Sequence, residues 1–265
     1  MNRFWHLLKI TMIGLLTFVM GLKLALAIPE VPMLEADVKS GNLPPVAERL
    51  PDNPMVVPFY RDQVLGEYGG TINSLIGSAA DVKLLFVYGY ARLAIYTPDL
   101  KIVPDILKDF EIEDNRIFTF KLRKNHRWSD GAPFTSEDFR YWWEDVANNR
   151  KLSPTGPPAS LLVNGEAPKV TFPDALTVRY EWSQPNADFL GLLANAAPLI
   201  IYRPSHYLKP FHDRYIDKSK MSKIQQIKLK SWASKHNRLD NLYKFDNPEL
   251  PSLQPWINAT FAPAN

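Results

Sequence analysis

The sequence predicts a mixed fold of α-helices and β-strands, and three patterns near its centre carry that prediction. From Ile117 to Arg123, apolar and polar side chains alternate, which is the period of a half-buried strand. Asp130-Gly131 predicts a tight turn, because glycine adopts positive φ freely and aspartate can bond its own backbone. Apolar residues then recur at helical spacing, at Phe139, Trp142, Trp143 and Val146.

The predicted helix has a recognisable start. Thr135 is a typical N-cap residue, and Asp138 follows three residues later, where a capping-box acid would bond back. We expect the acidic residues of this helix to lie on its polar, solvated face. They are Glu137, Asp138, Glu144 and Asp145. A catalytic pair of a glycosidase would instead need two carboxyl groups that face each other across a cleft. The residues alone therefore describe a structural unit without chemistry of its own.

Two hairpins are predicted beside this helix. Residues 110–113 and 117–123 would pair over Asp114-Asn115, a common turn dipeptide. Residues 170–172 and 176–182 would pair through Pro173-Asp174, and the second of these segments alternates cleanly. The other predicted elements are a short helix at 46–50, a strand at 71–76, a helix at 82–93, a helix at 187–195 capped by Asn186, a strand at 199–202 and a basic helix at 217–232.

Residues 1–27 are predicted to be a secretory signal peptide. A basic start precedes an apolar run, and Ala25-Leu26-Ala27 has the small-x-small pattern of a cleavage site. An uncleaved membrane anchor is the alternative. The leader carries three basic and no acidic residues, at Arg3, Lys9 and Lys23, so the remaining chain is formally neutral. The pI of about 8.9 is therefore no argument for nucleic-acid binding.

The sequence offers few residues for catalysis or cofactors. It contains no cysteine, which excludes disulfides and a lipid anchor on an N-terminal cysteine. The five histidines show no metal-ligand spacing, and neither a Gly-x-Ser-x-Gly elbow nor a phosphate-cradling glycine loop occurs. We expect neither a metal nor a cofactor. Tyr88-Gly89-Tyr90, Trp182 and the small-residue loop 77–81 are candidates for the wall of a ligand cleft, and ordinary core packing is the alternative.

Three motifs resemble extracellular solute-binding proteins of family 5, the peptide-binding components of ABC importers. The first joins Pro104-Asp105-Ile106, the strand ending in Leu122-Arg123, and the run from Trp128 to Phe139. The second is the strand at 176–180 followed by Ser183-Gln184-Pro185-Asn186, and the third combines Ser231-Trp232 with residues 247–256. The match covers nearly the whole chain after the leader.

The resemblance implies one lobe of the type II periplasmic-binding architecture with an extra β-rich subdomain. It assigns residues 28–58 to an extended N-terminal arm, residues 59–95 and 171–265 to parts of lobe I, and residues 96–170 to a subdomain inserted in lobe I. Family members are about twice as long. We therefore expect a chain truncated before the second lobe, from a shortened or split gene.

The resemblance also implies the function. A periplasmic monomer would capture peptides, or related small solutes, and deliver them to an inner-membrane ABC permease without covalent chemistry. The alternatives are a secreted hydrolase acting on sugars or cell-wall peptides, and a remnant that binds nothing. The ligand-binding residues nearest this half of the family fold would be Gly77, Ser78, Ala79, Asp81, Tyr88 and Tyr90.

Overall fold

A computed structural model describes residues 28–75, 77–78, 81, 89, 91–217, 219, 231–241 and 247–256. The chain divides into two compact units, residues 1–47 and 48–265. In the first unit, a 3₁₀ turn at Pro32–Leu34 leads into helix α1 (Glu35–Ser40), which ends at Gly41 with φ of 77°. The unit boundary falls within helix α2 (Val46–Arg49), whose first residue donates its N–H to the Glu30 carboxylate.

The second unit contains two antiparallel sheets. Strands β1 (Ala94–Tyr96) and β2 (Ile102–Pro104) form a hairpin. Strands β3 (Leu107–Glu113), β4 (Ile117–Leu122), β5 (Lys169–Asp174) and β6 (Thr177–Glu181) form a sheet in the order β3-β4-β6-β5. Both predicted central hairpins are thus confirmed. The turn between β3 and β4 holds Asp114 and Asn115 at positive φ, which these two residue types tolerate better than most.

The helices of the second unit lie after β4 and after β6. Helix α3 (Ser136–Arg140) continues as a π-helix over Tyr141–Ala147. Helix α4 (Phe189–Ala194) follows the sheet, then come α5 (Ser205–Leu208) and α6 (Trp232–Leu239). Short 3₁₀ turns occupy Ala159–Leu161 and Lys209–Phe211. In the part of the chain that the structure describes, no helix is long and apolar enough to cross a membrane.

The core of the second unit lies between the four-stranded sheet and α4. Phe118, Phe120, Val178 and Tyr180 point from the two central strands to one face and are almost completely buried. Phe189 packs on that face, with ring centroids 5.1 Å from Phe118 and 4.8 Å from Trp182. The alternation that predicted the strands therefore also selects the residues of the core.

The predicted N-terminus of α3 is confirmed in detail. The Thr135 hydroxyl accepts the Glu137 N–H, and the Asp138 carboxylate accepts the Thr135 N–H, which completes a capping box. The preceding turn closes through a hydrogen bond from the Gly131 N–H to the Trp128 carbonyl, with Gly131 at φ of 86°. The bonds that close the turn and the capping box join residues at most three positions apart, so local sequence predicts both features.

Several predicted elements differ from the structure. Residues 71–75 and 199–202 do not form strands. In the second case, the N–H groups of Leu199 and Arg203 bond to the carbonyls of Leu192 and Asp138, so that helices and not a neighbouring strand satisfy them. Helix α4 begins at Phe189, later than predicted, and the Asn186 side chain bonds to the Ser160 carbonyl instead of capping the helix.

Two predicted helices lie mostly outside the described residues, and one predicted domain boundary falls within a strand. Most of the helices predicted at 82–93 and 217–232 lies outside the described residues. The predicted boundary at residues 170/171 falls within β5, so the sheet joins residues from both sides of it. The division into lobe and inserted subdomain stays a prediction.

Candidate functional site

The structure describes three of the six predicted ligand-binding residues, Gly77, Ser78 and Asp81. The Asp81 carboxylate accepts the N–H groups of Gly77 at 3.0 Å and Ser78 at 2.9 Å, and the Asp81 N–H donates to the Ser78 carbonyl at 3.0 Å. Gly77 and Ser78 are exposed. Asp81 therefore fixes the shape of an accessible loop. Ala79, Tyr88 and Tyr90 lie outside the described residues.

The C-terminal segment 247–256 lies against this region. A Cβ at Gly89 would stand 3.2 Å from Pro255 Cδ, so a side chain there would require the segment to shift by a few tenths of an ångström. The Gln254 amide donates to the Ala91 carbonyl at 2.9 Å. Ser252 exchanges two hydrogen bonds with Ser129, each of 3.0 Å. This segment thus connects the predicted ligand-binding region to the turn before α3.

Trp182, the other aromatic candidate for a cleft wall, is a core residue. It is buried against Phe189, and its indole N–H donates to the Leu161 carbonyl at 2.9 Å. For Trp182, ordinary core packing is therefore correct and a place in the wall of a ligand cleft is not.

A groove of about 600 Å³ lies between the π-helix, the loop after it and α6. We call it the Asp240 groove. Apolar side chains from the π-helix and polar groups from the other segments line it, among them Trp142, Val146, Ser153, Thr155, Asn237 and Asp240. Its size and mixed lining are typical of sites for small ligands. No local sequence pattern predicts this groove, because its lining residues come from segments that are far apart in the chain.

An ion pair lies in the wall of the Asp240 groove. Arg203 Nε is 2.6 Å from Asp240 Oδ1, and both side chains are largely buried. Burial raises the pKa of the Asp240 carboxyl to about 6, and Arg203 opposes that rise. Arg203 also donates to the Tyr202 carbonyl at 2.8 Å. The pair therefore joins α6 to the segment before α5.

Tyr141 and His236 form a buried contact between the π-helix and α6, two of the elements that line the Asp240 groove. Tyr141 Oη and His236 Nε2 are 2.6 Å apart, which links the π-helix to α6. Burial lowers the pKa of His236 to about 4 and raises that of Tyr141 well above its usual range. At neutral pH the imidazole and the phenol are therefore both uncharged, and they share a hydrogen bond. Both groups are structural.

The expectation that the acidic residues of α3 and the π-helix are solvated is wrong for two of the four. Asp138 and Asp145 are 1% and 2% exposed. Asp145 lies 2.6 Å from both Arg214 Nη1 and Tyr215 Oη. The segment 203–215 packs over this face and brings donors that local sequence does not show. Glu144 is exposed, as expected.

The comparisons with known proteins agree on one family. The profile described as "Bacterial extracellular solute-binding proteins, family 5 Middle" matches residues 101–238. The periplasmic alpha-galactoside-binding protein of Rhizobium meliloti (strain 1021) is 27% identical over 258 residues, which is 86% of this chain and 33% of that protein. The periplasmic murein peptide-binding protein MppA of Escherichia coli (strain K12) is 36% identical over 109 residues, 37% of this chain and 20% of MppA.

Solved structures give the same result. An oligopeptide-binding protein OppA matches with a TM-score of 0.68 and 32% identity, over 88% of this chain and 36% of that one. The periplasmic binding protein MelB from Agrobacterium fabrum C58, solved with stachyose, matches with a TM-score of 0.60 at 24% identity, over 90% of this chain and 36% of that one, which shows the fold alone. The chain spans about a third of the length of such relatives.

These findings confirm the predicted family and the mixed α/β fold of a periplasmic binding protein. The relatives named here are binding proteins and not enzymes. Because the family profile matches more than half of its residues, this chain belongs to the bacterial extracellular solute-binding proteins of family 5.

Proposed function

We propose that this chain contributes the first lobe of the periplasmic substrate-binding component of an ABC importer. It would capture peptides or related small solutes and deliver them to an inner-membrane permease, without covalent chemistry. The observation that carries the proposal is the likeness to OppA, at 32% identity over 88% of this chain. The signal peptide predicted at residues 1–27 fits a periplasmic protein.

The ligand surface that we propose has two parts. One is the predicted set at Gly77, Ser78, Ala79, Asp81, Tyr88 and Tyr90, supported by the exposed loop that Asp81 organises. The other is the Asp240 groove, where Thr155 and Asn237 are exposed side chains with polar groups. A peptide offers a donor and an acceptor at each residue, which hydroxyl and amide groups can match.

An exposed apolar segment supports the idea that the binding unit includes more polypeptide than this chain. Val56, Val64, Ile72 and Leu75 are 81–100% exposed between residues 56 and 75. Soluble proteins rarely leave so many large apolar side chains of one segment exposed to water. Since about two thirds of the length of these relatives lies outside the matched part, we propose that polypeptide of that kind covers it.

The chain by itself is expected to bind peptide weakly or not at all. Closure of a two-lobed clamp derives its energy from contacts that exist only when both lobes hold the ligand. Calorimetry of residues 28–265 with a panel of di-, tri- and pentapeptides should therefore show no affinity in the micromolar range. Turnover is measured in parallel, and hydrolysis of the peptides or of oligosaccharides would favour the secreted-hydrolase alternative. Micromolar peptide binding by residues 28–265 alone would show that the second lobe is not needed.

A further inference from the structure

Positive charge is concentrated in one segment of this chain. Residues 203–244 contain 11 basic and 3 acidic residues, whereas residues 28–202 contain 17 basic and 23 acidic residues. Five of the 11 are lysines at 218–230, a stretch without an acidic residue. The balanced total therefore conceals a basic region that follows a larger acidic one. Such an asymmetry is typical of proteins that bind a negatively charged surface.

Two exposed lysines lie over aromatic rings beside α6. Lys235 Nζ is 4.9 Å from the centre of the Phe211 ring. Lys151, in the loop after the π-helix, has its Nζ 5.9 Å from the centre of the Trp232 ring. Trp232 and Lys235 are three residues apart in α6, which makes them neighbours on the helix surface. The two ammonium groups therefore flank the same turn of α6.

Two further cations lie against the ring of Tyr215. Lys209 Nζ is 5.2 Å and Arg214 Cζ is 5.8 Å from the centre of that ring. The buried His212 ring joins the two groups, since its centroid lies 5.7 Å from that of Tyr215 and 4.6 Å from that of Trp232. The cations and rings of both groups thus adjoin one another.

Acidic residues fix the segment that carries these rings. Lys209 binds the carboxylate of Glu137 in α3, and Arg214 Nη1 is 2.6 Å from Asp145 Oδ1 in the π-helix. The two ion pairs hold residues 209–215 against both helices. The aromatic rings under the lysines therefore form a fixed platform.

The other cations of this surface have no acidic partner among the described residues. Lys151 and Lys235 make no ion pair there. Arg150 is exposed, and its Nη1 donates to a neutral group, the Pro154 carbonyl, at 3.0 Å. None of these cations lines the Asp240 groove. We call the surface basic face, and it consists of Arg150, Lys151, Lys209, Arg214 and Lys235 with the rings beneath them.

The basic face suits a surface with many negative charges better than a single anion. Lysine carries a point charge on a flexible stem, and it lacks the planar fork by which arginine holds one phosphate or carboxylate. The rings lie beneath the ammonium groups, so that an apolar layer underlies a charged one, as at a membrane interface. A protein interface would need an apolar centre, and Trp232 is only 6% exposed.

We propose that the basic face binds an anionic phospholipid bilayer. For a periplasmic protein that surface would be the outer leaflet of the inner membrane, and the contact would hold the chain beside a permease in the same membrane. This role goes beyond ligand capture, because it determines where the chain lies. Near an anionic bilayer, each lysine or arginine strengthens binding roughly fivefold.

Cosedimentation with lipid vesicles tests the proposal. The protein is residues 28–265, because the apolar run of the predicted leader would itself enter lipid. Vesicles made of equal parts of phosphatidylglycerol and phosphatidylcholine should bind it, and vesicles of phosphatidylcholine alone should not. Sodium chloride should weaken the binding, since it screens exposed charges. Inorganic phosphate should weaken it no more than sodium chloride does at equal ionic strength.

Charge reversal at the two exposed lysines should weaken binding to the anionic vesicles. For Lys151→Glu with Lys235→Glu we expect a loss of about 25-fold or more, from roughly fivefold for each lysine. Lys151→Arg with Lys235→Arg keeps the charge and should bind within twofold of the parent. The matched control is Lys108→Glu with Lys169→Glu, the same change of charge at exposed positions of the edge strands β3 and β5, and it should stay within threefold. Circular dichroism checks that each variant is folded.

The inference is overturned if the anionic vesicles bind no more protein than the neutral ones, or if the folded double reversal binds as well as the parent. Equal weakening by the matched control would also overturn it, since total charge would then explain the binding. Phosphate that acts more strongly than chloride would show a site for single anions. Binding to native inner-membrane vesicles but not to the lipid mixture would assign the face to a membrane protein. Peptide capture is tested at other residues, so failure here leaves the proposed function standing.

Discussion

Replacing Asp138 with alanine is expected to lower the free energy of unfolding by about 3–5 kcal/mol. The carboxylate accepts four hydrogen bonds: Oδ1 from the Ser205 N–H at 3.0 Å and hydroxyl at 2.8 Å, Oδ2 from the Thr135 N–H at 3.0 Å and the Trp128 indole at 3.2 Å. Burial raises the pKa of Asp138, and these bonds oppose that rise. The substitution would leave buried donors of three segments without an acceptor.

Urea unfolding followed by tryptophan fluorescence measures this loss. Glu144→Ala is the matched control on the same helical segment, because Glu144 is exposed and pairs only with Arg140 within the described residues. We expect that control to change the free energy of unfolding by less than about 1 kcal/mol. A loss below 1 kcal/mol for Asp138→Ala would mean that Asp138 does not hold these segments together.

Phe189→Ala is expected to cost about 3–5 kcal/mol of unfolding free energy, the usual range for removing a buried aromatic side chain. Phe189 is completely buried, and its ring contacts those of Phe118, Phe120, Tyr180 and Trp182 at centroid distances of 4.8–5.8 Å. Its loss would leave a cavity between α4 and both central strands, which cannot collapse without moving the sheet.

Thermal and urea unfolding of the variant check this prediction. Phe59→Ala removes the same ring from a position that is 59% exposed, and it should change stability by no more than about 0.5 kcal/mol. Equal losses for the two variants would show that the sheet and α4 do not share a core.

The parts of the fold that the sequence predicts are those that local contacts determine. The β3–β4 hairpin and the N-terminus of α3 depend on alternation, turn residues and a capping box, all within a few residues of one another. The burial of Asp138 and Asp145 was not predictable in this way. Their partners, Ser205, Arg214 and Tyr215, lie 67–70 positions away in the chain.

The Asp240 groove was not predicted either, for the same physical reason. The Asp240 groove combines residues from the π-helix, the loop after it and α6, and no local pattern marks their meeting. In the predicted loop, the structure describes Gly77 and Ser78 as exposed and Asp81 as half-buried, and the role of these residues in ligand binding stays a proposal.

The most direct test is a peptide titration of a chimera in which this chain replaces the matching third of OppA. Calorimetry should give micromolar or tighter binding of a tri- or pentapeptide, because the unmatched two thirds of OppA would complete the proposed binding unit. Thr155→Trp, which fills the Asp240 groove, should weaken that binding at least tenfold, while Ala175→Trp at an exposed turn should not. A folded chimera that binds no peptide, or one that Thr155→Trp leaves unaffected, would contradict the proposal that this lobe holds the ligand through that groove.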